Sequence, residues 1–428
     1  MSVSDIRPRP VARNLMTEVS STVRVALARP MADYYLVLAS ATALGALGLY
    51  MVVSASSVLS MVDTGNPYAY GLSQLRVVLI GIPVAFALSR MSRRTLVVAA
   101  WVAVALAIVL LALVILPGGP GVSSGGNQAW LKLGPLPQFE PSEFAKAALV
   151  LWSAALFAQP ARENRLERAG ALLVPYLPVS ALILGLVVAE RDMGTAVIIG
   201  AIIIAQLWFV GAPGRLLALL IGAGAVGVTL GVALSAVRRA KVLGFLGTVF
   251  PFLHLPATTI SDQPQNAIYA LATGGWWGVG PGASRQKWGG LYNGAHTDYI
   301  LAVLGEELGL FGILVVLTLL FTLILTGLRI ARRSDSLFWR LAVSGMVGWL
   351  LVQASINTLV AFGMLPVMGV PFPLVSFGGS ALLAAMIAVG VMLAAARHEP
   401  SARRSLADRR AEGHPHRMAG VVVARRSK

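Results

Sequence analysis

The sequence contains no cysteine, so disulfide bonds and thiolate metal sites are excluded. Charge is also scarce, because only 12% of the 428 residues are Asp, Glu, Lys or Arg. Acidic residues are especially few, 18 against 34 basic ones. Hydrophobic residues make up 57% of the chain, and the mean hydropathy is +0.77. This composition excludes a soluble globular domain and predicts an integral membrane protein.

Uncharged apolar runs recur from one end of the chain to the other. A run of about 18 or more residues is long enough to cross a bilayer as a helix, and a helix satisfies its own backbone polar groups there. The sequence therefore predicts an all-α, polytopic membrane protein with about ten spans. The spans lie near residues 34–57, 73–90, 95–117, 142–158, 171–189, 193–210, 214–236, 298–328, 338–363 and 374–396.

The basic residues predict the orientation of these spans. Cytoplasmic loops are enriched in Lys and Arg, and here such residues follow spans two, four, six and eight. We therefore expect both termini in the cytoplasm, as basic tails over 1–32 and 397–428 around a transmembrane domain over 33–396, with the second tail disordered. The first tail has no apolar stretch, so no cleavable signal peptide is predicted. Because the cations lie in short loops and tails, binding to nucleic acid is not predicted.

The segment 237–297 between spans seven and eight is predicted to be one large extracytoplasmic loop. It departs from the positive-inside rule, since it carries five cations against a single Asp262. Cations kept on the outer face are expected to bind an anion, either the phosphate or pyrophosphate of a lipid substrate or ordinary anionic headgroups. The five cations are Arg238, Arg239, Lys241, Arg285 and Lys287.

Two groups of ionisable residues lie at the outer ends of predicted spans, where such residues are costly and often functional. Glu143 and Lys146 are three residues apart at the start of span four, so they share one helix face. They form either an internal ion pair that fixes helix packing or a pair that lines a substrate cavity. Asp192 lies in the short turn between spans five and six, either as a solvated turn residue or facing a cavity.

A glycine-rich segment precedes span eight. Its alternating glycines free backbone N–H groups that can cradle phosphate oxygens, and two cations follow them. The candidate phosphate cradle consists of Gly280, Gly282, Ser284, Arg285, Gln286 and Lys287.

Asp298 closes this stretch, directly after His296 and Thr297. Partial burial raises the pKa of a carboxyl group, whereas nearby cations lower it, so such a group can accept a proton near neutral pH. Asp298 is therefore a candidate general base. The alternative is a structural role, in which the carboxylate interacts favourably with the dipole of span eight.

The segment 365–380 contains three prolines and three glycines and cannot form a straight helix. At membrane depth, such a backbone must be shielded by protein or line a wet cavity. Ser376 and Ser380 lie in this segment and are candidates for substrate binding, together with His296 and Thr297.

Four sequence blocks follow one another in a distinctive order. They are QAWLKLGPLPQFEPSEFAK, AERDMGT, GVGPGASRQKWGGLYNGAHTDYILAVLGEELG and GMLPVMGVPFPLVSFGGS. Together they resemble the signature blocks of the SEDS proteins (shape, elongation, division and sporulation), the FtsW and RodA group, over nearly all of the membrane region. The stretches AHTDYI and SASSVLS look more like FtsW than RodA, and ARHEP is similar to actinobacterial FtsW-type proteins.

The resemblance implies a peptidoglycan glycosyltransferase that polymerises lipid II into glycan strands at the outer face of the cytoplasmic membrane. It also implies several partners: lipid II, the growing glycan strand, a class B penicillin-binding protein and other divisome or elongasome membrane proteins. By the same resemblance, Asp298 takes the place of the family's essential aspartate. Glu143 and Lys146 match its charged pair, and Asp192 matches the Asp of its Gln-Pro-Asp-Leu-Gly turn.

Three departures from the family pattern indicate a divergent paralogue. The turn reads Glu190-Arg191 where the family has Gln-Pro. The Tyr-Gln-x-x-Gln pattern appears as 262–266, in which Gln263 fits and the rest differs. Tyr292-Asn293-Gly294 stands where Leu-Pro is usual.

These inferences combine into a hypothesis for the reaction. Asp298 takes a proton from the acceptor sugar hydroxyl, which attacks the anomeric carbon of the donor and displaces a lipid pyrophosphate. The glycine-rich loop with Arg285 and Lys287, or a divalent cation such as Mg²⁺ or Mn²⁺ with no ligands identified, stabilises the leaving group. A lipid flippase or transporter also suits broken helices with intramembrane charges, and a non-catalytic divisome scaffold is the third alternative.

Overall fold

The computed structural model describes residues 29–124, 127–135, 137–159, 174–249, 263–291 and 294–412. Its α-helices are α1 Ala32–Thr64, α2 Ala69–Arg90, α3 Arg93–Ile115, α4 Pro141–Phe157, α5 Tyr176–Ala189, α6 Met193–Val210, α7 Gly214–Ala233, α8 Ala236–Val249, α9 Gln263–Gly274, α10 Ile300–Arg333, α11 Leu337–Ala361, α12 Gly379–Arg397 and α13 Pro400–Glu412. A short antiparallel hairpin of β1 Gly121–Ser124 and β2 Asn127–Leu131 lies between α3 and α4.

Eight helices in the described ranges are long and apolar enough to cross a membrane. They are α1, α2, α3, α6, α7, α10, α11 and α12. The two other predicted spans correspond to shorter helices, α4 with 17 residues and α5 with 14. The polytopic all-α architecture is thereby confirmed, whereas the number of ten crossings stays a prediction.

Helix α4 forms the centre of the bundle. It is buried over nearly its whole circumference, because α3, α6, α11 and α12 pack around it. A helix enclosed on all sides must be apolar on all sides, which fits its run of Ala, Leu, Val and Trp. Helix α7 is the least enclosed span, since Leu217 is its one buried residue.

Helix α10 is broken at Gly309, which has φ 69° and ψ −170°. This backbone region is essentially restricted to glycine. The loop after α9 fills the break with main-chain hydrogen bonds. The N–H of Leu310 donates to the carbonyl of Gly275 at 2.9 Å, and that of Val279 donates to the carbonyl of Glu306 at 2.9 Å. The polar groups released by the kink are thus satisfied inside the protein, as membrane depth requires.

The segments outside the spans differ in part from expectation. The predicted loop 237–297 contains the helices α8 and α9 and a short 3-10 helix over Gln286–Trp288; its extracytoplasmic location stays a prediction. The predicted disorder of the C-terminal tail is wrong for residues 400–412, which form α13. The rest of that tail, most of the N-terminal tail, Asp262, Tyr292 and Asn293 lie outside the described residues.

We expect Gly309→Ala to destabilise the protein by about 1–3 kcal/mol, because only glycine is comfortable in this backbone region. A Cβ at this position would also stand 2.4 Å from the carbonyl oxygen of Trp276. Tryptophan fluorescence during heating in detergent would report the lower unfolding midpoint. Gly200→Ala in α6 is the matched control, since no atom lies within 4 Å of the added Cβ and Ala favours a helix. Equal midpoints for the two variants would contradict the strained kink.

Candidate active site

Asp298 lies two residues before α10 begins and is partly buried. Three successive backbone carbonyls at this point accept hydrogen bonds from distant parts of the chain. The amide of Phe377 donates to His296 at 2.9 Å, the hydroxyl of Ser376 donates to Thr297 at 2.7 Å, and Nδ2 of Asn357 donates to Asp298 at 2.9 Å. The backbone that carries the carboxylate is therefore fixed by α11 and by the segment that precedes α12.

The proline-rich segment is non-helical from Phe362 to Gly378, as the sequence predicts. Two amide side chains of α11 hold it in place. Nδ2 of Asn357 donates to the carbonyl of Val370 at 2.8 Å, and Nε2 of Gln353 donates to that of Pro371 at 3.0 Å. These irregular carbonyls are shielded by protein, which is one of the two arrangements expected at this depth.

Gln353 and Asn357 are functional-site residues that sequence reasoning missed. They are four residues apart on α11 and buried, so they present two amides on one face of an apolar helix. That spacing is the signal that could have found them.

The charged pair Glu143 and Lys146 is buried, with a 2.7 Å distance between Lys146 Nζ and Glu143 Oε1. The ammonium group also donates to Oε1 of Gln353 at 3.1 Å. Trp349 donates to that same oxygen at 2.6 Å. These contacts fit the alternative of an internal ion pair, which here connects α4 to the helix that supports Asp298.

Five acidic side chains influence one another electrostatically: Asp298, Asp192, Glu140, Glu143 and Glu190. Burial raises the pKa of Asp298 to about 6; Lys241 opposes this effect and Asp192 adds to it. Burial likewise raises the pKa of Glu140 well above its usual value, and Glu143 and Asp192 add to that shift. These carboxyl groups are thus close enough to influence one another.

The turn before α6 contributes two of the acids of this region. Asp192 caps α6 by accepting a hydrogen bond from the N–H of Thr195 at 3.1 Å, so it is more than a solvated turn residue. Glu190 is fully buried, and neither carboxyl oxygen has a hydrogen-bond partner in the described part of the chain. Burial and then Asp192 raise its pKa to about 8, which makes it predominantly protonated at neutral pH.

The predicted phosphate cradle is occupied by carboxylates of α10. The N–H groups of Arg285 and Gln286 donate to Glu306 at 3.0 and 3.3 Å, and the hydroxyl of Ser284 also donates to Glu306. The N–H of Gly280 donates to the backbone carbonyl of Glu307 at 3.1 Å.

Lys287 is likewise engaged inside the protein. Its ammonium group forms an ion pair with Glu307 at 2.7 Å and is only 2% exposed. It also donates to the backbone carbonyl of Ser54 in α1 at 3.2 Å. Glu306 and Glu307 of α10 therefore bind the groups that the sequence predicts for phosphate. The cation of this loop that remains exposed is Arg285.

His296 is buried in a cluster of three rings. The centroid of its imidazole is 5.4 Å from that of Tyr70 and 5.3 Å from that of Phe377, and these two aromatic rings are also 5.3 Å apart. Burial lowers its pKa to about 4, against the opposing charge of Asp63, so the ring is neutral at pH 7.

The remaining predicted site residues are placed as follows. Ser380 is the second residue of α12, and its hydroxyl accepts a hydrogen bond from the N–H of Glu140 at 2.8 Å. Gln263 is the first residue of α9, and Gly282 has φ 76°. No group of three or more His, Asp or Glu suited to a metal occurs in the described ranges, so these residues provide no ready ligand set for Mg²⁺ or Mn²⁺.

Known proteins of similar sequence cover most of the chain. A family model for FtsW, RodA and SpoVE, described as a cell cycle protein, matches residues 34–401. A protein named probable peptidoglycan glycosyltransferase FtsW from Mycobacterium tuberculosis is 37% identical over 385 residues, which cover 89% of this chain and 71% of the relative. The protein of the same name from Trichlorobacter lovleyi is 33% identical over 371 residues, which cover 85% and 93%.

Two solved structures have the same fold. A chain of a peptidoglycan synthase complex that coordinates polymerization and crosslinking superimposes with a TM-score of 0.68 at 28% identity, covering 87% of this chain and 99% of that chain. The rod shape determining protein RodA of Thermus thermophilus gives 0.59 at 27% identity, covering 87% and 98%. The resemblance to the SEDS proteins is thereby confirmed, and the chain belongs to the FtsW, RodA and SpoVE family of cell cycle proteins.

Proposed function

We propose that this protein is a peptidoglycan glycosyltransferase that polymerises lipid II into glycan strands, with Asp298 as its general base. The activity is supported by membership of the family and by relatives of the same name at 33–37% identity. The observation that supports the role of Asp298 is its placement. Its carboxylate is partly buried, its backbone is fixed at three consecutive carbonyls, and the charges of Asp192 and Lys241 influence it.

The proposed reaction is a single nucleophilic displacement at the anomeric carbon of the donor. Asp298 takes the proton of the acceptor hydroxyl while that oxygen forms a bond to the anomeric carbon of the donor. The bond from this carbon to the phosphate oxygen breaks, and its electron pair leaves with the polyprenyl diphosphate. A diphosphate needs charge stabilisation rather than a proton, so one carboxylate suffices where a glycosidase uses two.

The supporting roles follow from what each side chain touches. A neutral His296, clustered with two aromatic rings, can shape the sugar site without adding charge. Arg285 is exposed and is proposed to bind phosphate, whereas Lys287 is proposed to anchor its loop through Glu307. The proposed substrate-binding set also includes Asp192, Gln263, Gly282, Thr297, Ser376 and Ser380.

The other predicted substrate-binding residues are proposed to support the site from inside the protein, because their polar groups are engaged there. They are Glu143, Lys146, Gly280, Ser284 and Gln286.

The cellular setting is proposed from the same family. The multi-pass chain lies in the cytoplasmic membrane with both termini inside and Asp298 on the outer side, as the basic loops favour. A class B penicillin-binding protein is the proposed partner, because crosslinking of the strands requires a separate active site. The relative solved within a synthase complex supports this pairing.

We predict that Asp298→Asn lowers the rate of lipid II polymerisation by about 10²–10⁴-fold, the usual contribution of a general base. The measurement is a gel assay of glycan strands made by purified protein in detergent, with a candidate partner present. Asp335→Asn, an exposed acid between α10 and α11, is the matched control and keeps the full rate. Wild-type strand synthesis by the Asp298→Asn protein would rule out the assignment.

The same assay separates a glycosyltransferase from the two alternative functions. A flippase or transporter makes no strands in detergent, where there is no membrane to flip across. A non-catalytic scaffold would make none either, and its Asp298→Asn variant would still support division at normal abundance and location.

We also predict that kcat/KM falls as pH decreases through about 6, the raised pKa of Asp298. A base acts in its ionised form, so protonation below this pKa removes activity by about tenfold per pH unit. A pH profile of strand synthesis with saturating partner tests this, with Asp335→Asn as the comparison. If the acid limb of the pH profile lay near 3.8, the ordinary pKa of an Asp, burial would not raise the pKa of Asp298.

A further inference from the structure

The diphosphate that departs in the proposed reaction carries more than one negative charge, and Arg285 is so far the one cation proposed to bind it. Two lysines near the site are already committed to buried ion pairs, Lys146 with Glu143 and Lys287 with Glu307. Lys241 in α8 differs from both: its side chain is exposed. No hydrogen bond or ion pair joins its ammonium group to a residue in the part of the chain that the structure describes.

The position of α8 is fixed by its first basic residue. Nη2 of Arg238 donates to the carbonyl of Arg191 at 3.1 Å, and Nη1 donates to the carbonyl of Gly231 at 3.0 Å. Gly231 in turn packs so closely on Met193 that an added Cβ would stand 2.5 Å from Cε of Met193. The connection between α7 and α8 therefore packs against the turn that contains Asp192.

Lys241 follows Arg238 by three residues, so the two side chains share one face of α8. Since Arg238 reaches the turn before α6, Lys241 is directed towards the same region. Its charge is also the largest influence that favours the ionised form of Asp298. Helix geometry and electrostatics thus place a free ammonium group near the candidate base.

We propose that Lys241 binds the diphosphate of the polyprenyl donor and stabilises its negative charge as the glycosidic bond forms. This inference rests on the proposed function and names the group that receives the leaving anion. A lysine suits the task, because its ammonium is a mobile point charge with three donors.

The test measures binding and turnover separately in full-length protein in detergent. We expect Lys241→Ala to weaken binding of a polyprenyl diphosphate by about 10- to 100-fold, the value of a charged hydrogen bond, and to slow strand synthesis similarly. The same variant loses less affinity for a polyprenyl monophosphate than for the diphosphate. Lys241→Arg keeps the charge and most of the affinity. Removing the cation also moves the acid limb of the pH profile upwards.

Arg332→Ala is the control, because Arg332 is an exposed cation at the C-terminal end of α10 and has no proposed role in binding. It keeps both binding and rate. Lys241→Ala with unchanged diphosphate affinity, or equal losses in the two variants, would overturn the proposal. Asp298→Asn tells the two hypotheses apart. This variant binds diphosphate normally but makes strands about 10²–10⁴-fold more slowly, and full activity in it would instead refute the general base.

Discussion

Three hydrogen bonds to the backbone of residues 296–298 hold the candidate site together. They come from Ser376, from Asn357 and from the amide of Phe377, so elements more than fifty residues further along the chain fix where Asp298 stands. Ser376 and Phe377 belong to the non-helical segment from Phe362 to Gly378, whose main chain needs partners inside the protein. Asn357 belongs to α11, and its amide also holds that segment through the carbonyl of Val370. The irregular segment and α11 thus support the candidate base together.

Burial then sets the chemistry of that carboxylate. A solvated Asp would be too weak a base to take a proton from a sugar hydroxyl, whereas a deeply enclosed one would remain protonated. Asp298 lies between these limits, because desolvation and Asp192 favour the neutral acid while Lys241 favours the anion. Burial and Asp192 raise the pKa of Glu190 further, to about 8, so this side chain is mostly protonated at neutral pH. Neighbouring acids with different degrees of burial therefore take different protonation states in one small region.

The sequence predicts the architecture well because hydrophobic length is a local property. It is less decisive for α4 and α5, because these helices are short and their crossing of the membrane stays a prediction. The sequence indicates the charged residues and offers the pairing of Glu143 with Lys146, which lie three residues apart on one helix, but it does not indicate partners that are distant along the chain. Lys287 appeared as a phosphate ligand because it follows a glycine-rich run, and only the folded chain brings Glu307 to it. Gln353 and Asn357 were missed because an amide on an apolar helix has no evident purpose until the proline-rich segment lies against it.

The central claim is that the carboxylate of Asp298 meets the acceptor hydroxyl while the donor diphosphate lies against cations. The most direct measurement is a structure of the Asp298→Asn protein in a lipid nanodisc with bound lipid II and a glycan acceptor. The account predicts that the side chain of residue 298 lies about 3 Å from the nucleophilic hydroxyl, with the diphosphate beside α8. A substrate bound with its sugars remote from residue 298 would contradict the account.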